Sequence, residues 1–261
     1  MVETEPVGID IQNLKKVYPF GNGNLEVLRN ICLHMEAGTF TSIVGPSGCG
    51  KSTLLKIIAA LEQPSSGRVE FNGKEVTKPS VDVGVLFQES RLLPWYDVAK
   101  NVDFGLPRSV EKKERRKRVQ EYIDLVGLTG FEHALPEQLS GGMKKRVSIA
   151  RTLINRPHVL LLDEPFGTLD AFTKILLQNE LRSICEKTGI TTVLVTHDIE
   201  ESIFLGNQVV ILTPKPAYVK KVIPIQLEGR RNRTSEEFTF YRKKIFQEFF
   251  DMNDTDIGHY M

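Results

Sequence analysis

A chain of 261 residues, 41% of them apolar, can bury a sizeable core, so a globular protein is expected. Its formal net charge of +1 gives no global field for nucleic acid. No stretch approaches the ~18 consecutive apolar residues of a membrane span, and Met1-Val2-Glu3-Thr4-Glu5 lacks a signal peptide's basic and apolar regions, so a cytosolic chain is expected. Cys32, Cys49 and Cys185 form neither an even disulfide framework nor a metal-spaced cluster; they read as free thiols in a reducing compartment.

Ile9-Asp10-Ile11 alternates apolar with polar, Gly21 to Asn24 form a turn-rich stretch, and Leu28 to Met35 resumes extended spacing, which predicts a β meander. Thr39 to Val44 predicts a strand that leads into Gly45-Pro46-Ser47-Gly48-Cys49-Gly50-Lys51-Ser52-Thr53. Ser52 to Ala60 then has helical spacing, with Leu54, Leu55, Ile57, Ile58 and Leu61 on its buried face. Strand, glycine loop and helix together are the setting of a phosphate-binding loop. Glycines let the backbone curl around a β-phosphate with N–H groups inward, and the helix N-terminus adds favourable potential. Lys51 can bridge the β- and γ-phosphates, and Ser52 can offer its hydroxyl to Mg²⁺. Cys49 is either an oxidation-sensitive thiol or a neutral filler.

Val83 to Phe87 predicts a buried strand ending at Gln88, with two more at Val159–Leu162 and Thr192–Val195. Their alternation with helices predicts a parallel sheet covered on both faces. From Gln88 to Asn155 the pattern turns helical and reads as a subdomain inserted into the core; Ser109 can cap a helix with Val119, Tyr122, Ile123 and Val126 on one face. The run Glu111 to Arg118 tempts a nucleic-acid or acidic-lipid reading, yet it lies on the polar turns of that helix, so a solvated face is expected.

Ser140-Gly141-Gly142 opens a helix with Val147, Ala150, Leu153 and Ile154 on one face. A serine cap followed by glycines leaves backbone N–H groups open, which makes either a second anion site or a plain helix cap. As an anion site beside the core, it would grip ATP held by a partner chain. Asp163 follows four apolar residues and so stands at the tip of a buried strand, where it can hold Mg²⁺ directly or through water. Glu164 is then placed to polarise the water attacking the γ-phosphate; the alternative is a charged strand end that caps the sheet. Thr234-Ser235-Glu236-Glu237 reads as a capping box before Phe238, Tyr241, Ile245 and Phe249, either a C-terminal helix docked on the core or a partner-binding one.

The glycine loop, Leu139-Ser140-Gly141-Gly142-Met143 and Val159 to Pro165 together resemble the nucleotide-binding domain of ATP-binding-cassette (ABC) transporters, from Ile9 to about Leu212. The resemblance implies an α/β P-loop ATPase core with a mostly parallel sheet, an N-terminal antiparallel β subdomain and an inserted helical subdomain at about 89–157. The ATPase domain would span 7–232, with a C-terminal helix and tail at 233–261. ATP and Mg²⁺ are the implied cofactors. Tyr18 is similar to the aromatic that stacks on adenine, and Gln88 to the glutamine that links the metal site to the membrane partner. Gly167-Thr168-Leu169-Asp170 resembles the loop that crosses the dimer interface, and His197 the switch histidine that contacts the γ-phosphate. Each has a plainer alternative: Tyr18 a strand aromatic, Gln88 a strand-end polar residue, His197 a core histidine.

Leu92-Leu93-Pro94-Trp95 and Asp163 to Ala171 resemble the importers for nitrate, sulfonates, taurine and related small solutes. Met143 is similar to that subfamily's usual form, whereas Lys144-Lys145-Arg146 departs from its commoner arginine-glutamine-arginine. The implied partners are a second ATPase subunit, a transmembrane permease and, indirectly, an extracytoplasmic solute-binding protein, at the cytoplasmic face of the cell membrane; nucleic acid is not among them. A cytoplasmic helix of the permease would meet Arg91, Leu92, Leu93, Trp95 and Tyr96, although Trp95 could instead pack within the subdomain. Non-transport members of the superfamily carry a long coiled coil or tandem cassettes, neither of which appears. A P-loop kinase would leave the Ser140 motif and the loop ending at Asp170 unexplained.

Overall fold

The computed structural model describes residues 6–256 other than 22, 168, 228 and 230, with side chains as far as residue 249; Met1 to Glu5 and Thr168 therefore lie outside the described residues. The chain divides into two compact units, one built from 7–79 and the stretch from 191 onward, the other centred on 80–190. In chain order come β1 (Ile9–Phe20), β2 (Gly23–Met35), β3 (Phe40–Val44), α1 (Lys51–Ile58), β4 (Ser66–Phe71) and β5 (Lys74–Glu75). Residues 80–190 supply β6 (Val83–Leu86), α2 (Val98–Asp103), α3 (Lys112–Leu125), a 3₁₀ turn at Pro136–Gln138, α4 (Gly141–Leu153), β7 (Val159–Asp163) and α5 (Ala171–Thr188). The chain ends with β8 (Thr191–Thr196), α6 (Ile199–Leu205), β9 (Gln208–Leu212), β10 (Val219–Pro224) and α7 (Glu236–Asp256).

In the unit built from 7–79 and the stretch from 191 onward, β1 and β2 form an antiparallel hairpin, and β4 and β5 extend it in the order β2-β1-β4-β5. The turn is tighter than the sequence suggests, since Gly23 pairs with Phe20 and Asn24 with Pro19 inside the ladder. Ile9, Ile11, Ile31, Leu33 and Met35 are buried at alternate positions, the pattern of a sheet with one face on a core. A second sheet places β3 between parallel β8 and β9, with β10 antiparallel on β9. Every residue of β3 and β8 is buried, so their β-rich runs are continuous rather than alternating.

Helix α1 buries Leu54, Leu55, Ile57 and Ile58, as its spacing predicts. Leu61 does not join them: the helix stops at Ile58, Ala60 turns the chain at φ 52°, and Leu61 is 49% exposed. At the other end of the chain, Ser235 rather than Thr234 caps α7, its Oγ accepting the Phe238 N–H at 3.2 Å. Thr234 is held instead by Asn232, whose Oδ1 accepts its N–H and its hydroxyl. Phe238 and Ile245 of α7 are fully buried, and Arg242 pairs with Glu200 of α6 at 2.9 Å.

In the unit centred on 80–190, β6 and β7 run parallel, with Leu86 opposite Leu162. Val119 and Ile123 of α3, with Val126 just past it, are buried as the pattern predicts. Its cap, however, is Glu111 and not Ser109, because a turn closed by Val110 N–H on the Pro107 carbonyl absorbs residues 107–110 first. The basic run is engaged locally: Arg115 grips Asp103 at 2.7 Å and the Pro107 carbonyl at 2.6 Å, and Arg118 pairs with Glu114 one turn away. On α4, Val147, Ala150 and Leu153 are buried, as is Ile154 after it, and Arg146 bridges the Val126 carbonyl and Glu180 of α5.

Candidate functional site

The loop after β3 is shaped by its own residues. Gly50 takes φ 122°, and a Cβ there would stand 2.8 Å from Val27 Cγ1 and 2.9 Å from Leu28 Cδ2, so only glycine fits. Helix α1 begins at the next residue, and the first N–H groups of a helix have no intrahelical acceptor. They form a cradle of donors at a positive dipole end, the chemistry of an anion site. Lys51 is buried with its ammonium across the loop, donating to the Gly45 carbonyl at 2.9 Å and the Pro46 carbonyl at 3.0 Å. Burial pushes the Cys49 thiol up, against the pull of Lys51, which keeps it protonated and supports the filler reading.

Two further residues belong to this unit. Val44 pairs with Thr196, so the loop after β3 and His197 after β8 emerge at the same end of adjacent parallel strands, where α/β sheets bind ligands. His197 is exposed, and its neighbours are locked: Thr196 donates to Glu201 at 2.5 Å, and Asp198 caps α6 by accepting the Glu201 N–H at 3.0 Å. Tyr18, half-buried in β1, donates its hydroxyl to Glu62 and is also hydrogen-bonded by Thr53; burial and Glu62 push its phenol up. The Lys16 ammonium lies 4.7 Å from the Tyr18 ring centroid and pairs with Glu62 at 3.0 Å.

The other unit has its own strand-end cluster. Gln88 follows β6, Asp163 closes β7 and Glu164 comes next, so the register of the pair brings all three to one end. Gln88 is exposed, whereas Asp163 and Glu164 are half-buried. Glu164 sits at φ 42°, a left-handed conformation that a glutamate adopts at a cost of about 1–3 kcal/mol; such strain concentrates at functional sites. Ser140 caps α4, its Oγ accepting the Met143 N–H at 3.3 Å, and a Cβ on Gly142 would come within 2.5 Å of Thr173 Cγ2. Asp170 caps α5 by accepting the Thr173 N–H at 3.0 Å, and hydrogen bonding from the Thr173 side chain first, then from that N–H, holds its carboxyl below the usual range. Lys145 is buried, and burial brings its ammonium down to about 8 against the opposing pull of Asp163.

The family model for the ABC transporter matches residues 28–167, more than half of the chain. The chain belongs to the ABC transporter family. Among curated relatives, the aliphatic sulfonates import ATP-binding protein SsuB of Bacillus subtilis is 48% identical over 88% of this chain and 89% of its own length. The nitrate import ATP-binding protein NrtD of a Synechocystis strain is 41% identical over 94% of this chain and 92% of its own. A solved dimeric ATP-binding cassette, in a post-hydrolysis state bound to ADP and Pi, superposes with a TM-score of 0.73 at 32% identity, covering 84% of this chain and all of that one. As an ABC ATPase, the chain is an α/β P-loop protein that couples ATP hydrolysis to transport.

In this ABC subunit the residues that motifs single out are held in place by others that no motif marks. Glu62 and Lys16, which fix Tyr18, carry no motif. Lys145 is 3% exposed, and its one sequence signal is the departure from glutamine at that position. Asn101, fully buried at the start of the helical stretch, donates to the Leu93, Tyr96 and Asp97 carbonyls and accepts the Leu93 N–H, which ties down the loop before it. Trp95 on that loop is 68% exposed and does not pack inward. Among the described residues no helix is long and apolar enough to cross a membrane.

Proposed function

We propose that this protein is the ATPase subunit of an importer for a small solute such as nitrate, an aliphatic sulfonate or taurine, working as a dimer bound to a permease at the cytoplasmic face of the cell membrane. The ATPase domain is read as 7–232 with the helical stretch 89–157 set into it, and 233–261 as an appendage. The observation that carries the reading is the Lys51 loop, a glycine-enforced donor cradle, in a chain that matches import ATP-binding proteins over nearly its full length. The loop 45–53 would bind the phosphates, Lys51 would bridge the β- and γ-positions, and the adenine would stack on Tyr18. Ser140 to Gly142 and Asp170 would complete the nucleotide contacts in the dimer.

Ser52 and Asp163 would hold Mg²⁺, with Gln88 as a further contact. A hydroxyl and a carboxylate are hard oxygen donors, and no group of three or more His, Cys, Asp or Glu is placed for a metal among the described residues. That sparse donor set fits an ion that keeps waters and phosphate oxygens in its shell and, when bound, neutralises charge developing on the phosphates. Glu164 would orient and polarise the attacking water, and His197 would contact the γ-phosphate. Glu164→Gln is expected to keep ATP affinity while phosphate release falls about 10²–10⁴-fold. Tagged Glu164→Gln extracted gently from native membranes with MgATP should carry a polytopic membrane protein. Recovery with soluble chains alone would overturn the transport reading, and wild-type turnover would remove Glu164 from its role.

A further inference from the structure

Lys145, Ser148 and Arg151 stand three residues apart on α4 and so share one stripe of the helix. All three aim their polar ends at main-chain carbonyls of the segment that follows β6. Lys145 Nζ donates to the carbonyls of Phe87 at 2.8 Å and Gln88 at 2.9 Å. Ser148 Oγ donates to Ser90 O at 2.7 Å, and Arg151 donates to Ser90 O and Arg91 O, each at 3.0 Å. Ser148 is as deeply buried as Lys145. Burying an ammonium is costly unless it is well hydrogen-bonded, so these carbonyls explain why Lys145 is tolerated there. The segment is also wound tightly: Arg91 is left-handed at φ 42°, with its guanidinium 4.6 Å from the Phe87 ring centroid.

The Gln88 side chain is exposed, so what these bonds fix is the backbone that carries it. We propose that the Lys145–Ser148–Arg151 stripe is a set of positioning residues that fastens Phe87–Arg91 to the helix whose N-terminus is the Ser140 motif. Displacing the Gln88 segment then displaces Ser140-Gly141-Gly142 with it, as one rigid piece. The proposal rests on the import reading, in which Arg91 to Tyr96 meets the permease and Ser140 meets nucleotide. It also gives the Lys145 departure a purpose. An ammonium on a long arm reaches two successive carbonyls, whereas a glutamine amide has a shorter reach and two protons.

The test is hydrogen exchange and steady-state kinetics on the purified full chain. In Lys145→Met, amides of 87–91 should exchange roughly tenfold faster or more, a local opening, while β7 keeps its protection. Misplacing a catalytic segment lowers kcat about tenfold to a hundredfold, and KM for ATP should stay within about twofold. Arg151→Met should act in the same direction, and Lys145→Gln should recover part of the kcat. Ser148→Ala, a milder change, keeps the test decisive should Lys145→Met not fold: faster exchange at 87–91 supports the proposal, and unchanged exchange overturns it. Wild-type exchange and kcat in Lys145→Met, or faster exchange spread evenly over the unit with KM rising alongside, also overturns it. Failure of wild-type protein to hydrolyse ATP would sink the import reading, while the exchange measurement would still decide the fastening.

Discussion

Gly50 and Glu164 each take backbone conformations that L-side chains rarely adopt, but for different reasons. At Gly50 the requirement is steric, because β2 side chains occupy the space a Cβ would need. Gly50→Ala therefore meets strain and overlap together, at an expected cost of about 1–3 kcal/mol. It should also abolish the rise in melting temperature that MgATP gives the wild type, which thermal denaturation with and without nucleotide would check. At Glu164 the residue is not glycine even though the backbone favours one, so the carboxylate is retained against strain. The loop proposed to bind phosphate was legible because phosphate chemistry admits few residue types in a fixed order, the order of Gly50-Lys51-Ser52. Glu62, which holds Tyr18, was not, because a glutamate in a loop has many ordinary uses and its partner lies 44 residues away in β1.

Among elements, helix caps decide where the functional loops stop. Asp170 caps α5, and its carboxyl is held below the usual range chiefly by the Thr173 hydrogen bond. The folded protein thus binds fewer protons there than the unfolded chain does. The stability this contributes is complete above the ordinary carboxylate value and is lost as pH falls through the depressed folded value. Acid unfolding of Asp170→Asn, which can still cap, should show a weaker pH dependence across that window than the wild type. An unchanged profile would mean that the cap carries no linkage. The limits of the sequence reading lie at this scale too. Ser109 and Thr234 are plausible caps by type, and each loses its place to a local turn or a neighbour. On α4, only the position of the chain after β6 shows that a Lys, a Ser and an Arg spaced by three point at carbonyls.

At the scale of the whole molecule, the import reading requires two copies to close on nucleotide. Glu164→Gln, with turnover blocked, should shift from monomer to dimer on adding MgATP in light scattering, and Lys51→Ala should not. A monomer under both conditions would remove the dimer from the proposal. The order of the chain has a further consequence. Strand β3 is buried along its whole length, and both of its partners, β8 and β9, lie beyond residue 190. A ribosome therefore releases β3 with two unpaired edges and must complete all of 80–190 before either edge can be closed. During synthesis this chain carries an aggregation-prone strand through most of its own translation, and chaperone demand should fall only once β9 has emerged.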